Sequence, residues 1–315
     1  MATTTIVATG AKGPAAKDLR FGGVHGSRAT PYLFVLPYLV LFITFIAVPA
    51  VFGIWISLHD WDFLLDSRPF VGLENYTALA DPESVQFEPF WHGMRATAIF
   101  TVASVPFLVT IPLGLAVLLN RKFPGRTFFR ATFFAPYVLG VAVIGLMWRY
   151  ILDPSFGIVN GTLRALGLRG EIPWTTGQPW AWISLVVVTI WWTIGFNAII
   201  YLAGLAEISN DQYEAASLDG ASKLQQFRHI TVPGLRPVLV FVITVTVLAS
   251  ANMFGQAYLI TQGGPGDSTR TAIIAITELG LSQYRMGQAA AMSYVLAVFL
   301  ALVSMINFYL LREKK

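Results

Sequence analysis

Six apolar runs, each long enough to cross a hydrocarbon core, limit what this chain can fold into. They fall at about Phe34–Leu58, Ala96–Leu119, Phe128–Trp148, Trp180–Ala206, Val238–Ile260 and Met286–Leu311. A spanning helix needs about 20 mostly apolar residues. Backbone groups in lipid must also find hydrogen bonds inside the protein, which leaves helices or a closed barrel. Runs of this length predict an all-α fold, a polytopic membrane helix bundle of about six transmembrane helices. Composition agrees, with 55% hydrophobic and only 12% charged residues, about half the charge of a soluble domain.

The loops between the runs set the expected orientation. The N-terminal tail holds four Lys or Arg. The second loop holds Arg121, Lys122, Arg126 and Arg130, the fourth Lys223, Arg228 and Arg236, and the C-terminus Arg312, Lys314 and Lys315. That makes 14 basic residues on one side against 7 on the other. Basic short loops stay in the cytoplasm, so both termini are expected there. Asp60, Asp62, Asp66, Glu74, Asp81, Glu83 and Glu88 all fall in the first outer loop. Residues 1–30, rich in Ala, Gly, Thr and basic residues, read as a disordered cytoplasmic tail without the apolar core of a signal peptide. The formal net charge of +4 is spread over loops and assembles no basic face, which argues against nucleic acid as a partner.

The absence of charge inside the runs narrows the function. Asp, Glu, Lys and Arg lie at their edges. A proton-driven carrier needs an ionisable residue within the bundle despite its cost. No paired His, Asp or Glu lies in a run to serve as acid, base or metal ligand, so the chain is not expected to be an enzyme. There are no cysteines, and the four histidines are scattered along the chain, so no metal site is expected. The polar residues left inside are neutral, among them Thr189, Thr193, Asn197, Thr246, Ser250, Asn252 and Gln256. A path lined by amides, hydroxyls and aromatics suits a neutral polyhydroxyl solute. The chain also lacks a G-x-x-x-x-G-K-[ST] phosphate loop. ATP-driven transport would therefore require a separate ATPase and a docking surface for it. The alternative is a stand-alone secondary carrier using sodium, which backbone carbonyls can bind.

The fourth loop, Glu207 to Pro233, can supply that docking surface. Ser209 followed by Gln212 has the spacing of a capping box that starts a helix. Gly220 can supply the left-handed residue that stops it. Ala221 to His229 can form a second short helix, and Pro233 and Pro237 mark the turn into the fifth run. The product is an elbow. Ala215 and Ala216 keep one face small, and Leu218, Leu224 and Phe227 can form an apolar ridge.

Glu214, Ala215, Ala216, Gly220, Ile230 and Pro233 stand at the spacing of the loop shared by the permeases of ABC importers, and the chain resembles that family. Phe70-Val-Gly-Leu-Glu-Asn-Tyr76, Leu202-Ala-Gly-Leu205 and Thr261-Gln-Gly-Gly-Pro265 are similar to segments of its carbohydrate-uptake branch, the maltose-type and glycerol-phosphate-type permeases. The resemblance spans about Leu33 to Leu311. It implies a transmembrane domain over residues 31–315 in a bacterial cytoplasmic membrane, importing a sugar or oligosaccharide by alternating access. Another polar solute, such as a phosphate ester, is the alternative cargo. The implied partners are a second homologous permease, two ATPase subunits that bind ATP and Mg, and an extracytoplasmic solute-binding protein. The resemblance also implies that Glu214, Ala215, Ala216, Leu218, Asp219, Gly220, Phe227, Ile230 and Pro233 form the ATPase-coupling loop. By position, Ser250, Asn252, Gln256 and Tyr258, with Trp192 and Asn197, are candidates for the substrate path.

Overall fold

The computed structural model describes residues 30–168 and 171–311. The expected tail over residues 1–30 lies, apart from Thr30, outside the described residues. The described residues form helices joined by irregular loops, with two isolated β-bridges. They divide into two compact units, one ending at Val51 and the other beginning at Phe52.

The described residues of the first unit form one apolar helix. Helix α1 (Tyr32–Ser57) runs through it and ends within the second unit. Large side chains along it, Phe34 and Phe45 among them, are exposed. Such a surface suits hydrocarbon as its solvent. A π turn at Ile43–Ala47 lies just before Pro49, which has no N–H to offer the carbonyl of Phe45.

The second unit is built around α3. After the short α2 (Glu74–Thr77), α3 covers Phe87–Asn120, starting well before the expected run because its polar first turns are also helical. It packs against α7 (Trp180–Glu207), α10 (Arg236–Ala251) and α11 (Ala272–Ser282). Each of the three buried cores takes residues from α3: Phe90 and Met94 in one, Phe100 in another, Val109 and Ala116 in the third. Lipid tails are as apolar as leucine, so helices in a membrane associate through close packing and hydrogen bonds. Two glycines permit that here. A Cβ on Gly195 of α7 would run into the backbone of Phe133, and one on Gly93 of α3 would lie 2.9 Å from Ala272 Cα. Beside Gly93, Thr97 Oγ1 accepts a hydrogen bond from Ala272 N at 3.0 Å, seating the first turn of α11.

Two expected spans are broken. The third is a pair, α4 (Arg126–Val138) and α5 (Val141–Ile151), meeting at 95°. Leu139 and Gly140 between them are extended, and Pro136 has already removed one helix bond. Helix α6 (Ile158–Ala165) follows in the loop. Helix α9 (Lys223–Gly234), which precedes the fifth expected run, meets α10 at 70°. Helix α10 stops at Ala251 instead of running to Ile260. The chain unwinds at Met253 and Phe254, then forms a π turn at Ala257–Thr261. The apolar α11 follows, unforeseen because it is far shorter than a membrane crossing. Helix α12 (Met286–Leu311) completes the bundle. Among the described residues four helices are long and apolar enough to cross a membrane, and up to six crossings result if each bent pair counts as one.

Two short sequence elements acquire structural reasons. In Phe70–Tyr76, Asn75 Nδ2 donates to the carbonyls of Ser57 and His59 at 2.9 and 3.0 Å, and Tyr76 Oη lies 2.6 Å from Ser57 Oγ. These bonds staple the loop to the end of α1. In Thr261–Pro265, Thr269 Oγ1 lies 2.7 Å from Thr261 Oγ1 and donates to Gly264 O at 2.8 Å, closing a tight turn.

Candidate functional site

The elbow forms between α7 and α10. Ser209 begins α8 (Asn210–Leu218), but as a simple cap: its side chain accepts from Asp211 N at 3.2 Å, and Gln212 does not complete a box. The reciprocal box lies one helix later. There Ser222 Oγ accepts from Gln225 N at 3.3 Å, and Gln225 Oε1 accepts from Ser222 N at 2.7 Å. Between the helices Gly220 adopts φ +80°. Ala221 N bonds Ala216 O at 2.8 Å and Gly220 N bonds Ser217 O at 3.2 Å. These two bonds make a Schellman stop, which satisfies carbonyls the helix end would leave orphaned. A side chain at φ +80° would meet its own backbone, so glycine fits here.

Glu214, Ala215, Asp219, Gly220 and Pro233 are exposed, and Ala216 and Ile230 are half-buried. Leu218 and Leu224 stand 89% and 74% exposed, as an apolar contact surface would. Phe227 departs from the expected ridge. A π turn at Phe227–Thr231 leaves it half-buried, and it lines a hollow of about 530 Å³ with Val117, Leu205 and Tyr213. The ridge is therefore two leucines.

A second feature lies in the bundle. A cavity of about 540 Å³ opens between α3, α4, α5, α7 and α10, within the size range of small-molecule sites. Five of the six substrate-path candidates line it: Trp192, Asn197, Ser250, Asn252 and Gln256. Tyr258 does not. It lies beyond the unwound segment, half exposed and stacked on Phe254 at 5.1 Å. Among the lining residues are none of Asp, Glu, Lys or Arg.

Most of the polar groups in this wall already have partners. Trp192 Nε1 donates to Leu139 O at 3.1 Å, capping the break between α4 and α5. Asn197 Nδ2 donates to Leu108 O at 2.9 Å, and Asn252 Nδ2 to Leu248 O at 2.8 Å. Ser250 Oγ accepts from Ser104 Oγ at 3.3 Å. The amide of Gln256, by contrast, has no side-chain bond within the described residues. Tyr137 and Phe196 add an aromatic wall that sequence reasoning missed, their rings stacked at 4.4 Å and 15°. Pro136 and Gly140 are the sequence signals of the break beside Tyr137.

The fold and both features can be set beside known proteins. Residues 99–315 match the family model described as the binding-protein-dependent transport system inner membrane component. The trehalose/maltose transport system permease protein MalF of Thermococcus litoralis is 31% identical, over 86% of this chain and 91% of that one. The lactose transport system permease protein LacF of Rhizobium radiobacter is 32% identical, over 90% and 94%. Among solved structures, a bacterial ABC transporter that imports the acidic polysaccharide alginate aligns with a TM-score of 0.76, covering 90% of this chain and 95% of that one at 24% identity, and so shares the fold. The chain belongs to the binding-protein-dependent transport system inner-membrane component family: it is a multi-pass, non-catalytic permease subunit of an ABC importer.

Proposed function

We propose that this permease forms half of the translocation path for a neutral sugar or oligosaccharide. The observation that carries the reading is the cavity of about 540 Å³, whose wall combines aromatic rings with neutral amides and hydroxyls and holds no Asp, Glu, Lys or Arg. Rings pack on the apolar faces of a pyranose, and amides bond its hydroxyls. A phosphate ester would call for Arg or Lys in the wall, since buried anions need cationic partners. The cargoes named for the two relatives, trehalose/maltose and lactose, support a sugar.

In this reading the other half of the path is a second homologous permease, and an extracytoplasmic solute-binding protein delivers the sugar. Two ATPase subunits, which hold ATP and Mg, grip the elbow at Glu214 to Pro233 on the cytoplasmic side. The basic-residue count supports this placement, with both termini on the same side. ATP binding favours the state in which the cavity opens outward, and hydrolysis returns it. The exposed Leu218 and Leu224 and the small Ala215 suit a partner's groove. The test is uptake of radiolabelled mono- and disaccharides by vesicles containing the complete transporter. ATP-dependent uptake of one of them is expected. Uptake of a phosphorylated or charged solute in preference would overturn the sugar assignment.

A further inference from the structure

The leucines of the two arms, Leu218 and Leu224, are exposed and so do not hold the arms to each other. A ring of polar side chains joins them instead. Gln226 is 4% exposed and lies between the arms. Its Nε2 donates to Ser217 Oγ at 2.8 Å and to Ala221 O at 3.3 Å, and its Oε1 accepts from Lys223 Nζ at 3.1 Å. Ser217 Oγ in turn donates to Tyr213 O at 2.7 Å. Across the other side, Tyr213 Oη lies 2.9 Å from Thr231 Oγ1, and Thr231 is 6% exposed. Thr231 Oγ1 also reaches the backbone carbonyl of Gln226 at 3.5 Å, so the circuit runs from Tyr213 through Ser217 and Gln226 to Thr231 and back to the Tyr213 ring.

We infer that this clasp, centred on Gln226 and Thr231, is the positioning device that makes the elbow move as one body, so that a push on α8 reaches α10. The inference rests on the elbow being the ATPase grip. Without the clasp, α8 and α9 are joined only by the Gly220 turn, and glycine is the least constraining hinge residue. With it, α9 follows α8 and passes the motion through Gly234 and the fully buried Leu235 into α10. Helix α10 carries Ser250 and leads into Asn252 on the cavity wall. Buried hydrogen bonds suit this task because their direction fixes geometry, whereas an apolar contact can slide. Neither Gln226 nor Thr231 offers a surface to a partner, since both are buried, so their contribution is geometric.

The experiment uses the complete transporter in vesicles, with three variants: Gln226→Ala, Thr231→Val and Tyr213→Phe. Three quantities are read: ATPase subunits co-purified, ATP hydrolysed, and sugar taken up. Each hydrogen bond lost should raise the population of loosened elbows by about fivefold. Co-purification and hydrolysis should then stay near wild type while ATP consumed per sugar imported rises severalfold. An unchanged ratio in all three variants would overturn the clasp. So would a parallel loss of co-purification and uptake, which marks a merely structural role. A rescue keeps the test decisive even where one variant folds poorly. The chain has no cysteine, so Ser217→Cys with Gln226→Cys gives one unique pair. Bridging it with a short thiol cross-linker should restore the wild-type ratio, and a bridged elbow that stays uncoupled would count against the clasp. Failure of the underlying grip reads differently: Gly220→Trp would then leave ATPase co-purification intact.

Discussion

Asn197 of α7 donates its Nδ2 proton at 2.9 Å to the carbonyl of Leu108 on α3, the same carbonyl that Pro112, four residues on, cannot serve. Proline has no N–H, and its ring pushes that carbonyl aside. A neighbouring helix re-satisfies it, as the low dielectric of the bundle demands. One residue chosen as a substrate candidate thereby acquires a second task, holding the two most intimately packed helices in register.

This pairing makes a double-mutant prediction. Asn197→Leu leaves Leu108 O buried without a donor and should cost about 1–3 kcal/mol. Pro112→Ala returns an N–H to that carbonyl. In the Pro112→Ala background, Asn197→Leu should therefore cost clearly less, a coupling of about 1 kcal/mol. Thermal unfolding of the purified protein in detergent measures both. Strict additivity would show that the bond does not replace the missing helix bond.

The cavity wall separates Gln256 from Tyr258. Gln256 lines the cavity and its amide is uncommitted, while Tyr258 lies outside. Gln256→Leu should weaken sugar transport by about five- to fiftyfold, the worth of one or two hydrogen bonds to a buried ligand. Tyr258→Phe should transport normally. Initial uptake rates against sugar concentration decide the matter, and equal loss in both variants would argue that the cavity is not the path.

At the elbow the left-handed Gly220 is the sensitive point. Gly220→Ala strains the backbone by about 1 kcal/mol, and Gly220→Asn should be milder because asparagine tolerates φ above zero. Uptake is expected to fall in the order glycine, asparagine, alanine, with membrane insertion unchanged in all three. Any other order removes backbone conformation as the reason for glycine there.

Gly195 tests packing apart from transport. An added methyl would press on the backbone of Phe133, and backbone cannot yield as a side chain does. Gly195→Ala should destabilise the bundle by about 1–3 kcal/mol, seen as a lower melting temperature. Gly114, whose added Cβ meets nothing within 4 Å, is the matched control, where alanine should be neutral or slightly stabilising.

Sequence by itself determined the solvent and the secondary-structure class, because a run of apolar residues has few ways to satisfy its backbone in lipid. It also located the elbow, since Ser209, Gly220 and the two prolines act through local backbone preference. What it misjudged lay beyond the reach of local preference. The capping box sits at Ser222 rather than Ser209, as which glutamine folds back depends on what the helix packs against. Phe227 turned inward because a π turn shifted its face. The 95° break at Leu139 and Gly140 survives because Trp192, more than fifty residues away in sequence, supplies a donor to the exposed carbonyl. Tertiary structure alone decided the rest: that Gln256 faces the cavity while Tyr258 does not, and that Gln226 and Thr231 meet Ser217 and Tyr213 across the elbow. Hydrogen bonds between distant residues leave no periodic mark in a sequence, and only packing brings their partners within 3 Å or so.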